Sequence, residues 1–221
     1  GRDASVDSDG NAAETESDGY GFDVGIDYRG PDNRWALGAV VGYFDGGLDV
    51  DARRSTVNYD GWHIGAYGRY GSGNTGLTAT GAINYGDSEA NVRRRIAFGT
   101  LSRDARATVD MQTFALEGEL RYGLPAGNGW ALGPMTSFFY ADADLGRFAE
   151  TGANSLNLTS SGASDEVSRF GGGLFANWQG AHGSIDASAQ YVDGHGNAAQ
   201  IGMTLAGAPG TSFSVRSPQT G

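Results

Sequence analysis

The chain contains no cysteine and no lysine. Without cysteine it has neither a disulfide framework nor a thiolate metal site. All 15 basic residues are arginine, against 26 acidic ones, for a net charge of −11. A chain this acidic lacks the basic face that neutralises a phosphate backbone, so no nucleic-acid partner is expected. Proline is scarce, at 5 of 221 residues. No run of about 18 apolar residues exists, so no transmembrane helix is expected. No secretory signal opens the sequence, which leaves an intracellular protein or an internal piece of a longer precursor. Neither a phosphate-binding loop nor a Gly-x-Ser-x-Gly nucleophile elbow is present.

Strand periodicity is abundant instead. Apolar residues recur at every second position in Phe22-Val24-Ile26-Tyr28, Trp35-Leu37-Ala39-Val41-Tyr43, Trp62-Ile64-Ala66 with Tyr70, and Leu77-Ala79-Gly81-Ile83-Tyr85. The same period continues in Phe114-Leu116-Gly118-Leu120-Tyr122, Trp130-Leu132-Pro134-Thr136-Phe138-Tyr140, Phe170-Gly172-Leu174-Ala176-Trp178 and Ile185-Ala187-Ala189-Tyr191. Period two is the signature of a strand with unlike faces. About eight strands of roughly ten residues result, the length a tilted strand needs to cross a bilayer and longer than ordinary globular strands.

The connections alternate in length. Gly30-Pro31-Asp32-Asn33, Gly71-Ser72-Gly73-Asn74, Pro125-Ala126-Gly127-Asn128-Gly129 and Gln179-Gly180-Ala181-His182-Gly183 are short turns. The intervening connections, about Asp45 to Asp60, Gly86 to Asp110, Ala141 to Val167 and Asp193 onward, are long and polar. Short turns at one end and long loops at the other are the pattern of outer-membrane barrels. Aromatic residues mark both ends of the apolar rows. Tyr28, Trp35, Tyr70, Tyr122, Trp130 and Trp178 flank short turns; Tyr20, Tyr43, Trp62, Tyr85, Tyr140, Phe170 and Tyr191 flank long connections. Tyr and Trp favour membrane–water interfaces, so Tyr28, Trp35, Tyr43, Trp62, Tyr70, Tyr85, Tyr122, Trp130, Tyr140 and Trp178 are the expected lipid-interface residues. The opposite face carries Asp23, Asp27, Arg29, His63, Arg69, Glu117, Glu119 and Arg121, the expected polar lining of a lumen. A sheet in lipid must close to leave no unpaired edge. The expected fold is an all-β, antiparallel, up-and-down transmembrane β-barrel.

Motifs that could carry chemistry are weak. His63, His182 and His195 show no ligand spacing, so no metal or other cofactor is expected. Asp7-Ser8-Asp9-Gly10-Asn11 has oxygen donors suited to a hard cation but lacks the glycine position and closing glutamate of a calcium loop, and reads more simply as a solvated acidic loop. Gly127-Asn128-Gly129-Trp130-Ala131-Leu132-Gly133 lies between strands and opens no helix, so it is no dinucleotide site. Glu117 and Glu119 beside Arg121 could pair for acid–base work, but an inward salt network is the simpler reading. Arg93-Arg94-Arg95 could dock lipopolysaccharide phosphates through planar guanidinium groups, or form the solvated or lumen-directed end of a long strand.

Three segments resemble a known family. Gly38-Ala39-Val40-Val41-Gly42-Tyr43 resembles the third strand of autotransporter β-domains, and Arg93-Arg94-Arg95-Ile96-Ala97-Phe98-Gly99 a loop signature of one branch. Ala206-Gly207-Ala208-Pro209-Gly210-Thr211-Ser212-Phe213 with Val215-Arg216 resembles the segment before the last strands. The resemblance implies a twelve-stranded barrel with an N-terminal helix in its lumen, the translocator of type V secretion. It also implies an N-terminal passenger as partner, the bacterial outer membrane with its lipid and lipopolysaccharide as surroundings, and insertion by the barrel assembly machinery. The role would be physical, not enzymatic. Residues 1–221 would then be a partial barrel of about eight to nine strands, without the N-terminal helix, the first strand beyond a stub at 1–6, and the last strands. A porin or adhesin barrel acting through its long loops would use the same strands. A soluble β-sandwich would instead bury the apolar rows against a second sheet.

Overall fold

The computed structural model describes residues 2–6, 15–50, 55–71, 75–196 and 200–216. The acidic segment at 7–11 and most of the turn at 71–74 lie outside them. Nine strands form one antiparallel sheet: β1 (Arg2–Val6), β2 (Thr15–Arg29), β3 (Trp35–Val50), β4 (Ser55–Tyr70), β5 (Gly76–Phe98), β6 (Leu101–Gly127), β7 (Trp130–Leu145), β10 (Ala163–Gly180) and β11 (Gly183–Gly196). Each pairs with the next along the chain, as in an up-and-down meander. Between β7 and β10 the chain makes a detour through β8 (Phe148–Ala149), a 3₁₀ turn at Asn154–Leu156 and β9 (Leu158–Ser160). β8 and β9 join β12 (Gln200–Leu205) and β13 (Ser212–Arg216) in a small four-stranded sheet. The large sheet is not closed: β1 and β11 are its edges among the described residues.

Two expectations need correction. Apart from the short β1, the strands of the large sheet are longer than ten residues, from 14 in β11 to 27 in β6. In addition, much of what reads as long polar loop is paired strand. The stretch 86–110 belongs to a hairpin in which Asp87 faces Gln112 and Phe98 faces Leu101, closed by Gly99 and Thr100. Gly99 takes φ +57°, as the first central residue of a tight hairpin turn requires. Apolar alternation ends where a strand leaves the bilayer, but backbone pairing does not depend on it, so the periodic signal stops before the strand does.

At the other end the turns are tight. Asn128 and Gly129 have φ of +51° and +82° between Gly127 and its partner Trp130, the conformation for which Asn-Gly is the preferred pair. Asp32 accepts a hydrogen bond from the Arg34 backbone N–H at 3.1 Å within the turn after β2. These turns hold the register that keeps the two faces unlike. Directly paired residues share a face. Val24 faces Val41 and Val41 faces Ile64, while Ala66 faces Ile83 and Ile83 faces Leu116, so the apolar rows run unbroken across strands.

Among the described residues there is no globular core. No large side chain is fully buried among the described residues, and buried apolar residues are few, such as Ala105, Val109, Met135 and Phe175. Ile26 is 77% exposed and Leu174 67%. Nothing covers the rows of Phe22, Leu37, Val41 and Ile64, which excludes the sandwich. A continuous apolar face of this extent needs a non-aqueous neighbour.

Candidate functional site

The sheet curls with its polar face inward. Asp27 and Arg29 of β2, Arg69 of β4, Glu117 and Glu119 of β6, and Arg169 of β10 line one concavity of about 1000 Å³. A second measure of curvature is the pair Arg121 Nη1 to Asp186 Oδ2 at 3.0 Å. Their strands lie three spacings apart, about 14 Å across a flat sheet, so only a curled sheet brings these side chains together.

All eight polar residues singled out in the sequence lie on this face. Five of them line the concavity. Asp23 and His63 meet nearer the long-connection end, with Asp23 Oδ1 and His63 Nε2 2.9 Å apart. They stand on β2 and β4, with Gly42 of β3 between them in the pairing row. A Cβ on Gly42 would run into both side chains, so glycine is the window through which they touch. Gly38 likewise lies under the ring of Tyr67. Arg121 lies towards the short turns and bonds Glu119 Oε1 through Nε at 2.6 Å, with the Phe175 ring 5.3 Å from its guanidinium carbon. The charges thus form a mixed network.

Asp186, Arg169, Tyr67, Phe139 and Phe175 belong to the same face and were missed as site residues in the sequence. Parity would have found Asp186, which sits between Ile185 and Ala187, and Arg169, beside Phe170. The aromatic rings on this face break the simple polar/apolar code because they lie over glycines and guanidinium groups.

The ten interface aromatics all lie on the convex face. They fall in two rows, with ring centroids 5.4 Å apart for Tyr28–Trp35 at the short-turn end and 5.8 Å for Trp62–Tyr85 at the other. The Trp178 indole N–H donates to the Asn128 carbonyl at 3.1 Å, tying that row to the turn backbone.

The arginine triplet is divided between faces. Arg94 turns inward and forms a two-point bond to Glu150, Nη2 to Oε2 at 2.6 Å and Nε to Oε1 at 3.0 Å, and Glu150 Oε2 also accepts the Leu158 N–H. Arg103 donates to the Ala153 carbonyl at 2.8 Å. These bonds hold residues 150–158 against the inner side of the β5–β6 hairpin, over the buried Ala105. Arg93 turns outward and bonds Asp104 at 3.0 Å. Of the triplet, Arg94 therefore lies on the concave side and Arg93 on the convex side.

A single-layer sheet with a charged concave face, an apolar convex face and two aromatic rows defines a transmembrane β-barrel wall. The autotransporter beta-domain family model matches residues 1–221, and the chain belongs to that family. It is therefore an outer-membrane translocator barrel of type V secretion. Two esterases named EstA, from Pseudomonas aeruginosa and Pseudomonas putida, are each 25% identical over 218 residues, covering 95% of this chain and 33% of their own length. The chain thus spans about a third of these curated relatives. Among solved structures, the translocator domain of autotransporter NalP from Neisseria meningitidis superposes with a TM-score of 0.50 at 16% identity, covering 88% of this chain and 83% of that one. The beta domain of the Bordetella autotransporter BrkA superposes with 0.52 at 17% identity, covering 93% and 87%. At such identities these two support the fold.

Proposed function

We propose that the concave face is the wall of the path along which a passenger segment of the same polypeptide leaves the cell. The observation that carries this is the concavity lined by Asp27, Arg29, Arg69, Glu117, Glu119 and Arg169. Both charge signs line it, so an extended peptide meets polar partners of either sign along the path. Transit requires sites favourable enough to enter and weak enough to leave. The convex rows face lipid, with Tyr28, Trp35, Tyr70, Tyr122, Trp130 and Trp178 at one interface and Tyr43, Trp62, Tyr85 and Tyr140 at the other.

Residues 1–221 are, on this reading, a portion of the translocator domain. Among the described residues β1 and β11 are free edges, and this supports it, because an unpaired edge in hydrocarbon costs several kcal/mol per polar group. Insertion by the barrel assembly machinery and contact with lipopolysaccharide belong to the same reading. The chain itself does no chemistry; two relatives are named esterases, so any catalytic activity resides on the passenger.

The test is export. An epitope placed N-terminal to this region in the full-length protein is followed in intact Gram-negative cells. Protease-accessible epitope at the surface, lost when residues 1–221 are deleted, is the expected result. Surface display that persists without these residues would contradict the role.

A further inference from the structure

The β4–β6 flank rises beyond the upper aromatic row, and its convex side there has an unusual charge pattern. Arg93 of β5 directly faces Arg106 of β6. Like charges in a facing pair destabilise a sheet. Asp104 holds Arg93 on one side, but the Arg106 side chain donates no hydrogen bond to any described residue. Its backbone, by contrast, is fixed on both sides, by Arg93 and by a two-way bridge to Thr151 with bonds of 2.9 and 2.8 Å. Here, then, are two adjacent guanidinium groups on a rigid backbone with one counter-ion between them.

These arginines border a groove of about 550 Å³ whose other polar walls are Thr56, Asn58, Asn91, Thr108 and Thr151. Pairing explains the arrangement. Thr56 faces Arg93 in one row, and Asn58 faces Asn91, which faces Thr108, in the row below. Thr108 Oγ1 donates to Asn91 Oδ1 at 2.9 Å, which orients the amide. Ala149, also on the groove wall, contributes only a methyl group. Hydroxyl and amide groups beside guanidinium match a phosphorylated saccharide: the planar forks bind phosphate in two-point fashion, and the neutral groups bind sugar hydroxyls.

Height selects the source. Thr56 lies six residues beyond Trp62 on β4, which at about 3.3 Å per residue and a tilt of about 40° is roughly 15 Å above the aromatic row. That is above the acyl chains and at the level of lipid-linked sugars. Between the two levels runs a row of carboxylates, Asp45 facing Asp60, Asp60 facing Glu89 and Glu89 facing Asp110. This row repels phosphate placed lower, so the arginine pair is the first place on the flank where an anionic headgroup is welcome.

We propose that this groove binds the phosphorylated inner-core saccharide of lipopolysaccharide, with Arg93 and Arg106 taking the phosphate. The proposal rests on the outer-membrane reading and assigns its lipid contact to one place.

The test uses the full-length protein in detergent micelles, titrated with purified lipopolysaccharide and with the same material after chemical dephosphorylation. Insertion of every variant into liposomes is checked first by heat-modifiable gel mobility. The expected result is an affinity about tenfold higher for the phosphorylated form, a difference of about 1.4 kcal/mol. R106Q reduces this preference and R93Q/R106Q abolishes it, while R34Q, at the opposite end of the sheet, keeps it. Because the wild-type preference needs no variant, it decides the matter even if R93Q/R106Q fails to fold. Equal affinity for both forms by an inserted protein would overturn this proposal alone. Displacement by inorganic phosphate as readily as by the phosphorylated saccharide would also overturn it, in favour of a free-anion site. Failure of the wild-type protein to insert would overturn the barrel reading and this proposal with it.

Discussion

Gly42 shows how much one missing side chain determines. Its neighbours in the pairing row are Asp23 and His63, and these touch only because β3 presents a gap between them. Gly42→Ala therefore removes a specific contact without touching the backbone ladder. A double-mutant cycle between Asp23→Asn and His63→Gln in chemical unfolding is expected to give a coupling of about 0.5 kcal/mol, as for a partly exposed pair. In the Gly42→Ala background the coupling falls to zero; an unchanged value would show that the pair does not use this window. Gly172→Ala is the control, since a Cβ there meets nothing within 4 Å.

Asp104 offers a second single-residue test. The hydrogen bond from Arg93 holds its carboxyl below the ordinary value of 3.8. A depressed folded-state value means that the contribution is present above the unfolded value and is lost as pH falls through the folded one. Amide exchange in residues 93–106 is thus expected to speed up below about pH 4 in the wild type, beyond the intrinsic pH effect, and not in Asp104→Asn.

At the level of elements, the β5–β6 hairpin and the segment 146–162 form one unit. Glu150 is almost buried, with 5% of its side chain exposed, and carries the two-point bond to Arg94. Removing Arg94 leaves a buried carboxylate without its counter-ion, a loss of about 3 kcal/mol for such pairs. Arg94→Ala is expected to expose residues 150–158 to protease on intact cells while the strands in the membrane stay protected. Equal protease resistance in wild type and variant would place the hold elsewhere, in the edge bridge between Arg106 and Thr151.

What was legible in the sequence also sorts by element. β2 to β7, β10 and β11 were readable because a sheet with unlike faces imposes period two, and parity grouped the polar residues and the aromatics on opposite faces. The hairpin beyond Asp87 was not legible, because outside the bilayer both faces are wet and the alternation carries no apolar signal. The pairing of β9 with β12 was not legible either, because it joins segments distant in sequence, such as Leu205 with Leu158. In the candidate site, Glu119 and Arg121 were readable as neighbours two residues apart, whereas their partner Asp186 is 65 residues beyond Arg121 and reaches it only through curvature.

For the whole molecule, the lack of a core is the informative feature. A sheet of nine strands with neither face covered is not stable in water, because folding has buried too little apolar surface to offset chain entropy. Stability comes instead from a bilayer on the convex side and from inter-strand hydrogen bonds, which no water in the bilayer competes for. The charged concave face is then free to serve transport.

The measurement that tests this most directly uses the absence of cysteine from residues 1–221, within which every introduced thiol is unique. Single cysteines at Val40, Val41, Ile64, Gly65, Ile83, Asn84, Ala115 and Leu116 in the liposome-inserted protein are labelled with a nitroxide. Collision with oxygen, which partitions into lipid, is compared with collision with a water-soluble nickel chelate. The account predicts strict alternation: Val41, Ile64, Ile83 and Leu116 favour oxygen, and Val40, Gly65, Asn84 and Ala115 favour nickel. Oxygen and nickel accessibilities that fail to alternate, or that alternate in the opposite sense, would contradict it.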